Sequence, residues 1–316
     1  MVGPLDRVKI LYQTSNPQFA KYTGSWLGVF RALRDINQTD GLRGLFRGHS
    51  ATLLRIFPYA GIKFLAYEQI RNVIIPDRSK ETPGRRFVSG SLAGITSVFF
   101  TYPLEVIRVR LAFETQRSSR SSLRSICARI YHEHPSDPKA LAHTNSHGHG
   151  SVGAVAGMLH RVAPQIGILN FYRGFSPTLL GMIPYAGMSF LTHDYIGDVF
   201  RLPALARYTV LADSDGGGRS PRSQLTASAE LTAGALAGAV SQTASYPLEV
   251  IRRRMQVGGA IGDGHRMGIL ETAQRIFLEK GSKGFFVGLS IGYAKTVPMV
   301  ATGFYVYERA KWLLGI

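Results

Sequence analysis

The chain has 316 residues, and its Lys and Arg outnumber its Asp and Glu by 17, which favours anionic partners such as phosphorylated solutes, anionic lipid or nucleic acid. A single cysteine, Cys127, excludes an internal disulfide and a cysteine-cluster zinc site. The long, regularly spaced apolar stretches exclude a disordered chain.

One pattern of residues recurs three times along the chain. A proline, an acid and a base occupy Pro4 to Lys9, Pro103 to Arg108 and Pro247 to Arg252. Each copy is followed by a block that pairs an aromatic residue with a glycine two positions later. The block glycine is followed after ten residues by a proline and after twenty by an acid. The block glycines, prolines and acids are Gly48, Gly174 and Gly288, Pro58, Pro184 and Pro298, and Glu68, Asp194 and Glu308. Three copies in one register predict three repeats of one structural unit.

We place the first repeat at residues 1–75, the second at 84–201 and the third at 227–316, with a linker at 202–226. The distance from repeat proline to block glycine is 71 residues in the middle repeat, against 44 and 41 in the others. The middle repeat therefore carries an insertion, at about 114–165. Its histidine-rich segment from His143 to His149 admits a metal site, although a flexible polar loop is the simpler interpretation.

Two uncharged stretches, Phe87–Tyr102 and Leu231–Tyr246, each continue through a proline and predict helices long enough to cross a ~30 Å hydrocarbon core. The segments 50–70, 176–196 and 290–307 are also apolar but contain a few cations. The pattern predicts an all-α membrane protein. The alternative is a soluble helical repeat that buries these helices.

We interpret Pro4, Pro103 and Pro247 as helix kinks, since proline removes a backbone hydrogen bond from a helix. Three such kinks draw three helix ends together, and the acid of one end then meets the base of the next. A ring of ion pairs of this kind closes one end of a pore. The alternative is that these residues are ordinary surface charges.

The motifs resemble those of the mitochondrial carrier family, which carries Pro-x-[Asp/Glu]-x-x-[Lys/Arg] and [Asp/Glu]-Gly-x4-aromatic-[Lys/Arg]-Gly three times. Asp40–Gly41 and Phe46–Gly48 complete the second motif in repeat one, whereas Ile166, Lys280 and Val287 depart from it. The resemblance implies a six-helix barrel of three pseudo-symmetric helix pairs in the mitochondrial inner membrane. It also implies a monomeric alternating-access transporter that is not an enzyme and needs neither cofactor nor metal.

The resemblance assigns roles to the repeated charges. On the matrix side it pairs Asp6 with Arg108, Glu105 with Arg252 and Glu249 with Lys9, braced by Gln13 and Gln256, while Ala112 occupies the third brace position. On the cytoplasmic side it assigns Glu68, Arg71, Asp194, Glu308 and Lys311, with Glu68 left unpaired because Gly197 replaces a base. This second gate is expected to be the weaker one.

Three residues precede Pro4, whereas the family's first helix begins about twenty residues before its proline. The resemblance therefore implies that most of the first membrane helix is missing from this chain.

The family's substrate-contact positions fall on Arg55, on Gly181 and Met182, and on Lys295, with Tyr185 one turn further on. Two cations suit phosphate, and a glycine beside an apolar side chain resembles an adenine site in this family. Tyr185 is placed to stack on a base. The alternative is that Gly181 is a helix-packing glycine and that Tyr185 is structural.

Residues Pro4 to Pro17 and Arg55 to Phe64 resemble most the coenzyme A carrier branch of the family, in its fungal form. We therefore expect exchange of coenzyme A or a related adenine nucleotide. We also expect anionic lipid such as cardiolipin at the helix starts marked by Gly48, Gly174 and Gly288. The alternatives are a carrier for thiamine pyrophosphate or ATP-Mg and, more remotely, a basic nucleic-acid-binding protein. The sequence contains none of the common catalytic motifs that would indicate an enzyme.

Overall fold

The computed structural model describes residues 2–76, 82–115, 122–133, 167–210, 225–260 and 267–296, together with residues 298, 302 and 309. These residues form helices and their connections, apart from one isolated antiparallel bridge between Val210 and Leu225. The predicted all-α fold is confirmed. The histidine-rich segment of the insertion lies outside the described residues, so its role stays a prediction.

We number nine α-helices of the described residues in chain order. They are α1 Gly3–Gln13, α2 Trp26–Leu45, α3 His49–Ile74, α4 Pro83–Phe113, α5 Leu123–Tyr131, α6 Phe175–Phe200, α7 Pro203–Thr209, α8 Ala227–Val257 and α9 Ile269–Lys280. Short 3-10 turns at Gly167–Tyr172 and Ser282–Phe286 precede the second and third block glycines. Residues 289–296 are helical as well.

The two uncharged stretches form the longest helices, as predicted. Helices α4 and α8 have 31 residues each, and Pro103 and Pro247 lie inside them. Pro4 stands instead in the first turn of α1, where its missing N–H leaves no helical hydrogen bond unmade. Among the described helices, the segment Gly84–Phe113 has the length and composition needed to cross a membrane.

The chain divides into two compact units. The first comprises residues 1–175 and 250–316, and the second comprises residues 176–249. In the first unit, Val8 and Leu11 of α1 pack with Ile36 of α2 and with Ile291 in a buried apolar core. The boundaries of the three repeats stay a prediction.

Many large apolar side chains lie on the outside of the helices. Phe57 of α3 is 86% exposed, and Phe100 of α4 and Ile183 of α6 are exposed as well. Apolar residues exposed in such numbers are typical of a surface that faces another apolar phase, and here they fit a helical membrane protein.

The block glycines mark the starts of helices for a steric reason. Gly48, Gly174 and Gly288 have φ angles of 88°, 79° and 85°, a left-handed conformation that only glycine adopts readily. A Cβ atom on Gly48 would lie 2.9 Å from the Arg108 carbonyl oxygen, and one on Gly174 would lie 3.0 Å from that of Arg252. The glycines therefore let the starts of α3 and α6 lie directly against the ends of α4 and α8.

Candidate functional site

Two of the three predicted matrix-side pairs are in contact. Arg108 on α4 lies 3.2 Å from Asp6 on α1, between Nη2 and Oδ2. Arg252 on α8 forms an ion pair with Glu105 on α4. In both cases the acid and the base belong to different helices, which is the arrangement that a ring of inter-repeat pairs requires. The gating role of these residues stays a prediction.

The third predicted pair is Glu249 with Lys9. Lys9 is buried in the first unit, whereas Glu249 belongs to the second unit. This pair stays a prediction.

Glu105 carries more charge partners than the sequence suggests. Its carboxylate is almost completely buried, with 2% of the side chain exposed. Besides Arg252 it contacts Arg55 on α3, 3.2 Å from Nη1 to Oε2, and Arg253 on α8, 3.0 Å from Nη1 to Oε1. A buried carboxylate is tolerated only with such partners, because burying an unpaired charge is costly. The sequence interpretation did not identify Arg253, although it directly follows the motif base.

The predicted substrate cation Lys295 also meets a predicted gate acid. Its Nζ lies 3.0 Å from Asp6 Oδ1, so Asp6 bridges Lys295 and Arg108. Both predicted substrate cations of the first unit, Arg55 and Lys295, are therefore held by carboxylates of the predicted matrix-side ring. We call Asp6, Arg55, Glu105, Arg108, Arg252, Arg253 and Lys295 the gate cluster.

The gate cluster is strongly basic, since its members include five cations and two acids. The side chains of Arg55, Arg108, Arg252 and Lys295 are 16–27% exposed. Such partly covered cations interact with anions more strongly than they would in open water. The arrangement is chemically suited to hold a solute that carries several negative charges.

Gln256, one of the two predicted brace residues, lies directly beside the gate cluster. Its Oε1 accepts a hydrogen bond of 3.0 Å from Arg253, and its Nε2 donates one of 3.0 Å to the Tyr102 hydroxyl. Gln13, the other, is buried at the end of α1. The brace role of both residues stays a prediction.

A second set of buried arginines, the arginine ring, was missed by the sequence interpretation. It consists of Arg7, Arg110 and Arg254, of which each forms an ion pair with an acid of its own repeat. The acids are Asp40 at 3.0 Å, Glu133 at 2.9 Å and Glu279 at 2.6 Å.

Each member of the arginine ring also donates to the next repeat. Arg7 donates to the Ala112 carbonyl oxygen at 3.3 Å, Arg110 to that of Gln256 at 2.6 Å, and Arg254 to the Ser15 hydroxyl at 2.6 Å. The contacts therefore run in a closed cycle through the three repeats. Arg110 and Arg254 both stand seven residues after a repeat proline, a spacing that was visible in the sequence.

The remaining predicted substrate contacts lie on α6 in the second unit. Gly181 and Met182 are half-buried, and Tyr185 is exposed. A Cβ atom on Gly181 would lie 3.6 Å from Leu248 Cβ, an ordinary packing distance that fits the helix-packing interpretation as well. The substrate role of these three residues stays a prediction.

The predicted cytoplasmic-side gate is only partly described. Glu68 and Arg71 lie near the end of α3, and Asp194 lies on α6, with Glu68 and Asp194 exposed. Glu308 and Lys311 lie outside the described residues, so the pairs Asp194–Lys311 and Glu308–Arg71 stay predictions.

Metal chemistry finds no support in the part of the chain that the structure describes, where no group of three or more His, Cys, Asp or Glu residues is placed to hold an ion. His193, which replaces the aromatic residue of the cytoplasmic motif, instead lies 3.2 Å from Glu230, between Nε2 and Oε1.

Comparisons with known proteins point to one family. A family profile described as "Mitochondrial carrier protein" matches residues 1–78, 79–135, 139–203 and 223–315. The mitochondrial carrier protein LEU5 of Saccharomyces cerevisiae is 50% identical over all of this chain and 86% of its own length. Human solute carrier family 25 member 16 is 34% identical over 98% of this chain and 82% of its own length.

A third relative is the mitochondrial adenine nucleotide transporter ADNT1 of Arabidopsis thaliana, which is 32% identical over all of this chain and 83% of its own length. The family profile covers nearly the whole chain, and its repeated matches follow the repeated motifs. The predicted resemblance, transport class and location are confirmed. The chain belongs to the mitochondrial carrier family, as a multi-pass solute carrier of the mitochondrial inner membrane.

Proposed function

We propose that this carrier exchanges coenzyme A or a related adenine nucleotide across the inner membrane. The observation that carries the proposal is the pairing of Arg55 with Glu105 and of Lys295 with Asp6. The cations that the family pattern assigns to substrate are present, partly covered and held by carboxylates. Phosphate groups of a solute compete with those carboxylates for the same cations.

The composition of the gate cluster favours a solute with several phosphate charges over a single carboxylate. Its five cations and two acids leave a formal excess of three positive charges. Arginine supplies three of the groups at Glu105, and its planar fork matches phosphate oxygens in a bidentate way. Coenzyme A and adenine nucleotides carry charges of this kind.

Exchange follows from the same contacts. With the solute absent, Arg55 and Lys295 help to neutralise Glu105 and Asp6, the two acids that also hold Arg252 and Arg108. Binding of phosphate to Arg55 and Lys295 competes with their ion pairs to Glu105 and Asp6, and so removes two of the contacts that join helices at the closed ring. The bound solute thereby promotes the opening of the matrix side, which is the step that alternating access requires.

The relatives support an adenine-bearing solute. ADNT1 is a mitochondrial adenine nucleotide transporter, and its alignment with this chain, at 32% identity, covers all 316 residues. Gly181 and Met182 offer the flat apolar surface that an adenine ring needs, and Tyr185, one turn further on, offers an aromatic ring for stacking.

Anionic lipid such as cardiolipin is the second proposed partner, at the starts of the helices that follow the block glycines. The left-handed glycine in each block turns the chain at a helix start, where backbone N–H groups favour phosphate. Lipid titration into the purified protein tests this proposal, since a gain in thermal stability with cardiolipin but not with phosphatidylcholine is expected.

The transport proposal is tested by competition. Purified protein in liposomes is given labelled coenzyme A together with an excess of unlabelled coenzyme A, adenine nucleotide, ATP-Mg or thiamine pyrophosphate. We expect coenzyme A or the adenine nucleotide to suppress uptake most strongly. Suppression by thiamine pyrophosphate alone, or uptake restricted to carboxylates or amino acids, would reject the proposed substrate.

A further inference from the structure

A chain of hydrogen bonds leads from the start of α6 to the gate cluster. The Tyr102 hydroxyl donates to the Arg173 carbonyl oxygen over 3.0 Å and accepts from Gln256 Nε2 over 3.0 Å. Gln256 Oε1 accepts from Arg253, whose same Nη1 donates to Glu105 over 3.0 Å. Tyr102 and Gln256 are completely buried, so water does not replace these contacts.

The donors and acceptors along this chain fix the orientation of the Gln256 amide. The Arg173 carbonyl oxygen can only accept a hydrogen bond, so the Tyr102 hydroxyl must be the donor and uses its single proton in this bond. The amide group that faces this hydroxyl must therefore be the Nε2 donor. At the other end, a guanidinium accepts no hydrogen bond, so Arg253 requires the Oε1 acceptor. Both neighbours demand the same orientation.

We propose that Tyr102 is a positioning residue of the carrier, because its hydroxyl holds the Gln256 amide in the orientation that keeps Arg253 on Glu105. The proposal rests on the proposed gating role of Glu105. The Tyr102 hydroxyl acts through Gln256, which it contacts directly. It is distinct from the brace role that the family pattern gives to Gln256, since the family motifs do not include the residue before the proline.

The rest of the Tyr102 environment keeps the hydroxyl in place. Its ring lies parallel to that of Tyr172, with centroids 6.1 Å apart, and edge-to-face with Phe175 at 5.3 Å. The Arg252 guanidinium lies 5.7 Å from the centre of the Tyr102 ring. Phenylalanine at position 102 preserves these ring contacts and removes only the hydroxyl.

Position 102 also distinguishes the repeats. Tyrosine directly precedes the proline at Tyr102 and Tyr246, whereas Gly3 precedes Pro4 in the first repeat. The described hydrogen bond joins the tyrosine of the second repeat to the glutamine of the third.

A double-mutant cycle between Tyr102→Phe and Gln256→Ala tests the proposal. In the otherwise wild-type protein, we expect Tyr102→Phe to lower the melting temperature in detergent by about 2–4 °C. We also expect a fall of about fivefold in maximal exchange rate, with KM unchanged, since two buried hydrogen bonds are lost away from the substrate. In the Gln256→Ala background, Tyr102→Phe still removes the hydrogen bond to Arg173 but no longer the one from Gln256, so it should lower both quantities by less than it does in the wild-type background.

The matched control is Tyr172→Phe, which removes a hydroxyl from the neighbouring ring. Tyr172 makes ring contacts but no hydroxyl hydrogen bond within the described part of the chain. This variant should retain the wild-type melting temperature and exchange rate. If Tyr102→Phe behaves like Tyr172→Phe, or lowers the melting temperature equally in both backgrounds, the positioning role is wrong.

The cycle also separates this proposal from the proposed function. Melting temperatures need no substrate, so the coupling between Tyr102 and Gln256 is measured whether or not the protein transports coenzyme A. A protein with strong coupling and no coenzyme A uptake would retain the positioning residue and reject the substrate. If the protein takes up coenzyme A but the melting-temperature changes of the two single variants simply add, the substrate is retained and the positioning role is rejected.

Discussion

Arg55 Nη1 lies 3.2 Å from Glu105 Oε2, so a cation assigned to the substrate is paired with an acid assigned to the gate. A single buried carboxylate therefore links two functions that the sequence pattern assigns to different places. Lys295 and Asp6 repeat this relationship at 3.0 Å. Substrate recognition and closure of the matrix side are expected to respond together to changes at these residues.

Removal of either proposed substrate cation, Arg55 or Lys295, should impair transport while the protein still inserts into the membrane. Arg55→Ala or Lys295→Ala removes a charged phosphate contact that contributes about 1.5–3 kcal/mol, which corresponds to a rise in KM of roughly tenfold or more. Arg55→Lys keeps the charge but loses the bidentate geometry. Arg31→Ala, on the exposed side of α2, is the control and should leave uptake unchanged. Wild-type uptake in both alanine variants would place the substrate elsewhere.

Charge reversal should reveal coupled pairs in the gate cluster. Glu105→Arg and Arg252→Glu should each abolish exchange, and the double variant should recover part of it, with a coupling on the order of 0.5–3 kcal/mol. Recovery should be greater for Asp6→Arg with Arg108→Asp, because Glu105 holds two further arginines whereas, within the described residues, Asp6 holds one further cation, Lys295. Small, additive effects of the single variants would show that these charges only anchor helix ends.

The arginine ring should contribute to stability more than an exposed ion pair does. Arg110 is 5% exposed and is paired with half-buried Glu133, which also pairs with Arg173, so Arg110→Ala should cost about 1–3 kcal/mol. Arg129→Ala removes an arginine that is 60% exposed and should cost about 0–1 kcal/mol. Melting temperatures in detergent compare the two variants. Equal losses would show that the ring contributes no more than a surface pair.

A side chain at a block glycine should disturb the contact between repeats. Gly48→Ala must adopt a φ near 88° and place its Cβ 2.9 Å from the Arg108 carbonyl oxygen, so we expect a loss of about 1–3 kcal/mol or more. Gly61→Ala lies on the same helix, where no atom approaches the added Cβ within 4 Å, and should be neutral or slightly stabilising. The difference between their melting-temperature shifts tests the close approach of α3 to α4, since a large loss is expected for Gly48→Ala alone.

The pH dependence of stability should change when Lys280 is replaced. Burial, together with the nearby Arg254, lowers the pKa of Lys280 below its ordinary value. Charged Lys280 therefore destabilises the folded state at neutral pH, and the penalty disappears as the pH rises from the lowered pKa through the ordinary one. Lys280→Met should raise the melting temperature at pH 7, with a gain that shrinks towards alkaline pH. A gain that stays constant with pH would contradict this explanation.

The threefold pattern of prolines, charges and glycines predicted most of the architecture. The long uncharged stretches predicted α4 and α8, since an apolar run of that length admits few other structures. The spacing predicted that the acid of one helix end meets the base of the next, and the family resemblance named the pairs Asp6–Arg108 and Glu105–Arg252.

Other features depend on three-dimensional packing that spacing does not reveal. Arg253 reaches Glu105 only because α8 presents two successive arginines to one carboxylate. The arginine ring likewise depends on where the acceptor oxygens of the next repeat lie in space. Arg110 donates to the Gln256 carbonyl oxygen, and Arg254 donates to the Ser15 hydroxyl. Pro4 lies in the first turn of α1, so its role as a helix kink stays a prediction.

The most direct test of the proposed exchange is counter-transport of labelled coenzyme A into liposomes that contain the purified protein. Liposomes preloaded with unlabelled coenzyme A should take up label in a saturable way, and empty liposomes should take up much less. The reason is that an exchanger reorients with solute bound in both directions, so it needs solute inside the liposome. Arg55→Ala should suppress the difference. Uptake no greater than in protein-free liposomes, or uptake of carboxylates and amino acids alone, would contradict the proposed function.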